Sequence, residues 1–512
     1  MEFPADAGLQ MDGSSSVPLF QADAGEGAEE RGMLEMETWN PKSQYDDEKG
    51  SSLSNSPVES DSTEDEEFKE GGYGWIVVAS VLLINAHTWG LNSSYAVFLA
   101  YYLRSGTIDG SSPLAFAFVG GLSISFAFIV SPLATVCIGK LGTGTTMRIG
   151  VVLEAISFVG ASFSTHIWHL ILSQGVCFGA GLGFCFTATV GIVPQWFTKR
   201  RSFANAISTS GSGFGGLVYS LATNAMISNL GLAWAFRILA ILAFVVNGAC
   251  SLVLRDRNKQ VGAVHIAFHM DLFKHFEYWL FLGWGFFILI GYVIVVFSLT
   301  DYAQVVGFAA SQGSLVSAIF NLSQGLGRPI IGLVSDRVGR LNIAGLGTLV
   351  AGLAAYFLWI FAGKAYPGLI IYAVFGMFAG VIWPCVAPVG AEVVGLQLLP
   401  SALSIYWLVL VLPATFAEVI ALSLRTSGVD GYINVQLLAG SMYIASFISI
   451  WMLRSWKLQQ LEALDVTEAQ TGTQTANAVK SLSGRSKRDI SIRRSPGLFR
   501  AYIAGMLTVR RV

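Results

Sequence analysis

Charge is what this sequence has least of: Asp, Glu, Lys and Arg make up 12% of its 512 residues, against roughly 25% in a soluble globular domain. With an apolar content of 53%, that shortage excludes an ordinary soluble protein. The net charge is −2, so no basic excess points to nucleic acid. Cysteine is also scarce. The five at Cys137, Cys177, Cys185, Cys250 and Cys385 fall in apolar stretches without C-x-x-C spacing, which argues against a disulfide framework or a zinc site. The 56 glycines follow no G-X-Y period, so the chain is not collagenous. No G-x-x-x-x-G-K-[ST] loop occurs, which excludes nucleotide hydrolysis at a P-loop. No G-x-S-x-G elbow or paired-carboxylate cluster supports an enzyme, and no cofactor is expected. A basic n-region followed by an apolar h-region is missing too, so the sequence predicts no cleaved secretory signal.

The few charges are segregated. Residues 1–70 carry 19 acids and 4 bases, residues 71–453 carry 10 and 16, and residues 454–512 carry 4 and 11. The first 70 residues, ending near Asp61-Ser-Thr-Glu-Asp-Glu-Glu67, show no apolar period and are predicted to form a disordered acidic tail. From Gly71 onward, apolar runs of about 20 residues recur, each long enough for roughly 30 Å of hydrocarbon. Twelve such runs centre on 76–102, 113–136, 147–164, 168–194, 203–227, 234–254, 278–300, 313–334, 343–362, 368–390, 399–424 and 434–453. This predicts an all-α integral membrane fold of twelve transmembrane helices in two pseudo-symmetric halves. Residues 71–254 form one six-helix half, 255–277 a central loop and 278–453 the second half, followed by a basic tail over 454–512. With a cytoplasmic N-terminus the inner loops hold eleven Lys and Arg residues and the outer loops three. Because cytoplasmic loops retain positive charge, both termini are expected in the cytoplasm, with the plasma membrane favoured and the vacuolar membrane the alternative.

Several motifs have bland readings. Gly211-Ser-Gly213-Phe-Gly-Gly216 matches G-x-G-x-x-G but lies inside the fifth apolar run with no strand before it, so close helix packing is expected instead of a dinucleotide. The same holds for Gly175, Gly179 and Gly183. His265 and His269 lack the general base and third ligand of a zinc site, and 264–277 is predicted to be an amphipathic interfacial helix.

The strongest local signal is Gly332-Leu-Val-Ser-Asp336-Arg337-Val-Gly339-Arg340, at the inner end of the eighth run. This loop resembles the signature of the major facilitator superfamily, in which the acid and arginines form a latch between helix ends. The matching loop of the first half, Gly139-Lys-Leu-Gly-Thr-Gly-Thr-Thr-Met-Arg148, has lost the acid. An asymmetric latch centred on Asp336 is therefore expected, with Glu392 pairing Arg337 or Arg340.

Three further motifs narrow the resemblance to the monocarboxylate porter family: Glu70-Gly71-Gly72-Tyr73-Gly74-Trp75, Gln195-Trp196-Phe197-Thr-Lys199-Arg200-Arg201 and Gly325-Leu-Gly327-Arg328-Pro329. The run Asn92-Ser-Ser-Tyr-Ala-Val-Phe-Leu-Ala-Tyr-Tyr102 is similar to its fungal branch. A charge inside the bilayer costs on the order of 2.5–3.5 kcal/mol by insertion scales, so Arg328 is a functional candidate from the residues alone. The resemblance implies that it holds a substrate carboxylate, for which a guanidinium fork is suited; a permanent pair with Glu418 is the competing expectation. Where the family's proton-coupled lactate carriers have an Asp and a Lys, this chain has Gln324 and Ser93. If protons are coupled, Glu418, Glu154 or His87 must carry them. Asn85, Asn92, Asn321 and Trp383 are expected to face the central cavity, where Pro384 and Pro388 interrupt the tenth helix.

In the C-terminal tail, residues 485–495 place serines beside bases, and Leu498, Phe499, Tyr502, Ile503 and Met506 repeat at helical spacing. This predicts a membrane-lying segment released by a kinase. The expected partners are thus the lipid bilayer, a small organic solute with an anionic carboxylate favoured, a co-transported proton and that kinase. The function expected is secondary transport of a monocarboxylate or related organic acid by alternating access. Export of a fungal secondary metabolite and carriage of a riboflavin-type vitamin compete within that class; a non-transporting solute receptor competes from outside it.

Overall fold

The computed structural model describes residues 71–105, 113–426 and 431–481. The acidic tail and the serine-rich basic segment lie outside the described residues. Within them the chain is helical, without β-strand.

The first span is built of three pieces: α1 (Tyr73–His87), α2 (Trp89–Ser93) and α3 (Tyr95–Ser105). A single helix was expected over 76–102, but the backbone leaves helical geometry at Thr88 (φ −119°, ψ −81°). The second span joins α4 (Pro113–Ile129) to α5 (Ser131–Leu141) through a 42° bend. The third is α6 (Thr143–Ala161). The fourth runs through α7 (Ile167–Leu170), a π-helical turn (Ile171–Cys177) and α8 (Phe178–Val190). The fifth and sixth are α9 (Arg201–Leu230) and α10 (Leu232–Val253).

The second half begins with α11 (Phe276–Val305) and α12 (Ala310–Val338). Its third span comprises α13 (Arg340–Ala354), a π-helical turn (Ala355–Trp359) and α14 (Ile360–Ala362). The next two spans are α15 (Tyr366–Ala379), α16 (Ile382–Val409) and α17 (Val411–Leu424), and the last is α18 (Ile433–Ser481). Gly395 breaks α16 at φ 77°, ψ 166°, a conformation that a side chain with Cβ rarely adopts. The chain turns there from the tenth span into the eleventh. Helix α18 runs past the expected end of the last span at 453, carrying the start of the basic tail with it.

Two of the twelve spans, α9 and α12, are long enough to cross a bilayer but too polar to be recognised as spans by hydropathy. Their composition suits their place. Ser202, Asn205, Ser208 and Ser210 of α9 are buried, and the two helices pack along each other across the seam between the halves. A Cβ on Gly213 would come 2.8 Å from the Gly325 Cα of the partner helix, so small residues set the approach distance. In the first half a Cβ on Gly179 would lie 2.6 Å from the Ser123 carbonyl oxygen. Close packing is the physical role of both glycine motifs. The outer faces carry large exposed apolar side chains, including Leu252, Leu221 and Phe357; an apolar belt of this extent suits lipid and not water.

The central loop departs from expectation. Residues 264–269 are irregular and only Met270–Lys274 forms a single 3₁₀ turn. The Val264 N–H donates to the Gln397 carbonyl (2.8 Å), and the Ile266 N–H donates to Ser401 Oγ (3.1 Å). Docking on the kinked part of α16 has replaced the amphipathic helix, because these groups beyond Gly395 take up the loop's backbone donors.

Candidate functional site

At one end of the molecule the sequence motifs meet. Tyr73 and Trp75 of the glycine-rich opening pack on Trp196 and Phe197 of the fourth-to-fifth loop, with ring centroids 5.7 and 5.0 Å apart. Asp336, at the last turn of α12, accepts hydrogen bonds from the Ser202 N–H (2.9 Å) and the Phe203 N–H (2.8 Å). These are first-turn amides of α9 in the other half. A helix N-terminus presents unpaired N–H groups and a partial positive charge, so one carboxylate closes the seam. Arg340 ties three more pieces together: its Nε lies 3.6 Å from Asp336, and its NH1 and NH2 donate to Glu392 Oε1 and the Thr198 carbonyl, both at 2.7 Å. Glu392 thus pairs with Arg340. Arg337 is exposed and makes no such contact among the described residues. In the first half, Arg148 bonds to its own helix, at Gly144 and Thr145, and to no acid among the described residues. The polar contacts at this end are therefore asymmetric between the halves.

A second cross-seam contact comes from a proline. Pro388 has no N–H to give to the Pro384 carbonyl one turn earlier, and the Asn205 side chain of α9 donates to that carbonyl instead (2.9 Å). Sequence reading found the prolines and missed Asn205; a lone Asn on a small-residue helix face was the available signal.

Deeper in the seam lies Arg328, 5% exposed. Its NH1 donates to the Thr209 carbonyl and to Ser212 Oγ on α9, both at 2.5 Å, and its NH2 donates to Gln324 Oε1 at 3.3 Å. Its Nε is buried with no partner. No carboxylate contacts it among the described residues, which corrects the expected pair with Glu418: that acid accepts from Ser298 Oγ at 3.4 Å. Gln324 also accepts from Tyr292 Oη (3.1 Å), and the Tyr292 ring meets Trp383 at 5.9 Å. Trp383 opens onto an aromatic cluster. Trp89 lies 5.7 Å from Trp383, 6.0 Å from Phe128 and 5.3 Å from Phe186. Trp407 stacks 6.3 Å from Trp383 and 5.5 Å from Phe128. The indole N–H groups of Trp89, Trp383 and Trp407 are all buried and unpartnered. Arg328, Gln324 and Trp383 therefore come together as expected, joined by Ser212, Tyr292, Trp89 and Trp407, which sequence reading missed. Tryptophans are common in apolar helices, and nothing in their spacing says which face they share.

The other expected site residues lie elsewhere. Asn85 donates to the Val81 and Ser208 carbonyls and braces α1 on α9. Asn92 accepts from Ser123 Oγ (2.7 Å) and lines a small cavity inside the first half with Tyr95 and Gln174. Ser93 Oγ donates to the Trp89 carbonyl of its own helix. Asn321 is half-buried one turn before Gln324, where its backbone approaches Gly213. His87 contacts the Leu83 carbonyl (2.8 Å) and the Tyr219 ring. Glu154 is wholly buried and accepts from Asn247 Nδ2 (2.9 Å); no cation meets it among the described residues, so its expectation as a counter-charge is not supported by contact.

The family model of the Major Facilitator Superfamily matches residues 77–417. The chain belongs to the major facilitator superfamily. Among similar proteins of this superfamily is the probable transporter MCH2 of Saccharomyces cerevisiae, 31% identical over 415 residues that cover 80% of this chain and 88% of the yeast protein. Monocarboxylate transporter 10 of Danio rerio is 26% identical, covering 72% and 75% of the two chains. The fujikurins efflux protein of Gibberella fujikuroi is 25% identical, covering 73% and 80%. Solved facilitator structures share the fold: the proton:xylose symporter XylE aligns with a TM-score of 0.61 at 14% identity, over 74% of this chain and 95% of its own. The fucose transporter FucP in its outward conformation aligns at 0.57 and 14%, over 75% and 99%. The chain is thus a multi-pass membrane transporter of monocarboxylate-transporter-like type and not an enzyme.

Proposed function

We propose that this transporter carries a small organic anion with a flat, unsaturated body, moving it by alternating access between the two halves. The observation that carries the reading is a buried guanidinium without a carboxylate partner among the described residues, set beside an aromatic enclosure to which both halves contribute. The free Nε of Arg328 gives a carboxylate one fork donor at once, and releasing NH1 from Ser212 supplies a second. Unpartnered indole N–H groups suit acceptor atoms on the body of the solute, and the rings suit its faces. Binding that draws on residues from both halves is what couples a solute to their rocking. The loss of the acid and lysine typical of lactate carriers, at Gln324 and Ser93, and the presence of a fungal efflux protein among the relatives favour a larger planar acid, exported, over lactate itself. The excess of basic residues in the loops of the latch end supports a cytoplasmic latch end and cytoplasmic termini, and the plasma membrane is the host we favour.

The test is flux through the full-length protein in liposomes, with lactate, pyruvate, indole-3-acetate and riboflavin as probes. The expected result is saturable flux of an anionic probe, best for the aromatic acid, and its loss in Arg328→Ala protein that still purifies as a folded monodisperse species. In Arg328→Lys the charge remains without the fork; hydrogen bonds to charged groups contribute about 1.5–3 kcal/mol, so KM should rise at least about tenfold. Unchanged flux in Arg328→Ala overturns the assigned role.

A further inference from the structure

The first half holds a buried polar group that the solute site does not use. Glu154 of α6 is 0% exposed, as is Asn247 of α10. Asn247 Nδ2 donates to Glu154 Oε2 at 2.9 Å and to the His87 carbonyl at 3.3 Å. The two remaining oxygens of the pair, Glu154 Oε1 and Asn247 Oδ1, are both buried and both without a partner. These are two orphan acceptors on groups already joined by one hydrogen bond. A single proton on Oε1 would supply the donor that the pair lacks and, shared with Oδ1, would close a cyclic acid–amide dimer. An ionised carboxylate there would instead face the amide oxygen with no counter-ion, an arrangement that burial makes costly.

We propose that Glu154 is a proton-binding site, carrying a hydrogen on Oε1 in this closed-latch state, and that loading and release of this proton are relayed to the aromatic enclosure through Asn247 and the break in the first span. The relay is short. The His87 carbonyl that Asn247 holds lies at the non-helical residue Thr88, and the next residue is Trp89, a wall of the enclosure. When the proton leaves, the second N–H of the Asn247 amide is drawn from the His87 carbonyl to the ionised carboxylate, and the hinge between α1 and α2 is freed.

The titratable groups on elements packed against α6 leave this assignment intact. Cys185 of α8 and Cys177 of the π-helical turn bond through Sγ to the Met147 and Leu153 carbonyls. Cys137 and Lys140 lie on α5, Cys250 on α10 and His169 on α7. Arg237 of α10 lies over the Phe163 and Trp234 rings. On α6 itself, Arg148 is exposed and bonds to its own helix, and His87 of α1 faces Tyr219. Of these, Cys185 and Tyr219 of α9 lie near enough to Glu154 to interact with it electrostatically; both are neutral acids without positive charge, and no cation among the described residues pairs with Glu154.

The proton's use as coupling ion rests on the carrier reading above, whereas its presence does not, so the first measurement needs no solute. Infrared spectra of the full-length protein in lipid at neutral pH are compared for wild type and Glu154→Gln. The variant keeps the shape and can make both bonds to Asn247, so it should fold. The difference spectrum is expected to show the C=O stretch of a protonated carboxylic acid, converting to carboxylate bands only as pH is raised. Carboxylate bands alone at neutral pH overturn the proposal. Asn247→Ala retains the acid and is expected to move the C=O band to the frequency of an acid free of hydrogen bonds; an unmoved band overturns the pairing. For the relay, the emission of Trp89, isolated as wild type minus Trp89→Phe, is expected to shift across the same titration and to lose that shift in Glu154→Gln. A Trp89 signal that titrates equally in both overturns the coupling to the hinge.

Discussion

Asn205 owes its role to an atom that Pro388 does not have. The Pro384 carbonyl would be buried without a donor were the α9 amide not 2.9 Å away, and an unsatisfied buried acceptor costs about 1–3 kcal/mol. Asn205→Ala is expected to destabilise the closed-latch state by about that amount, read as faster hydrogen exchange in α16 and a lower unfolding midpoint in detergent. The cause can be isolated by a second substitution. Pro388→Ala gives the helix back its own N–H at this place, so the double variant should lose most of the cost of Asn205→Ala. Additive effects of the two changes would mean that the carbonyl is not what Asn205 serves. The same residue-level logic separates Arg328, whose bonds are all to neutral oxygens, from Arg340, whose charge is already met by the two acids Asp336 and Glu392.

Elements show where local sequence suffices and where it does not. The spans were legible because each of ten is uniformly apolar over the thickness of a bilayer, and because α9 and α12, though more polar, are long and rich in small residues. The polar cluster around Asp336 was legible because the spacing of that acid to Arg337 and Arg340 is local. Choosing Arg340 over Arg337 as the partner of Glu392 was not, because it depends on how α13 is rotated against α16. Breaks at Thr88 and within the fourth span depend on tertiary contacts and leave no mark in hydropathy. The loop over 264–277 was misread for a related reason: its apolar residues recur at helical spacing, but its amides are claimed by Gln397 and Ser401. That docking has a pH signature. Burial of His265 against α5 and α16 holds its pKa below the ordinary value, against smaller opposing effects of the Ala263 carbonyl and Asp256. The undocked loop therefore takes up a proton first as pH falls. Docking is at full strength above about 6.5, the ordinary histidine value, and weakens as pH drops from there toward the lowered value of the docked state. Exchange at the Val264 and Ile266 amides, referred to His265→Gln at each pH, should rise over that window. A ratio that stays flat would remove His265 from the docking energetics.

For the whole molecule, the issue is what keeps the halves together at one end while the aromatic cluster to which both contribute lies deeper in the seam. Asp336 links α12 to the first turn of α9, Arg340 links α13 to Thr198 and Glu392, and Asn205 links α9 to α16. The bonds of Asp336, of Arg340 to Thr198 and of Asn205 cross the seam, whereas Arg340–Glu392 braces the second half, so this end is held by a few polar contacts at the rim and by helix packing below. The first half contributes no acid, so substituting one residue should shift the balance. Asp336→Asn retains one acceptor oxygen, places an amide N–H₂ against a backbone N–H and removes the negative charge from both the α9 N-terminus and Arg340. Charge-assisted bonds of this kind contribute about 1.5–3 kcal/mol, and each 1.4 kcal/mol is a factor of ten. The fraction open at the latch end should rise about tenfold or more, measured as faster exchange of the Ser202 and Phe203 amides. Exchange in the core of α18, which packs on α11 and α13 of its own half, should not change. If α18 speeds up equally, the variant has loosened the fold and not the latch; if Ser202 and Phe203 exchange as in the wild type, Asp336 does not hold the halves closed.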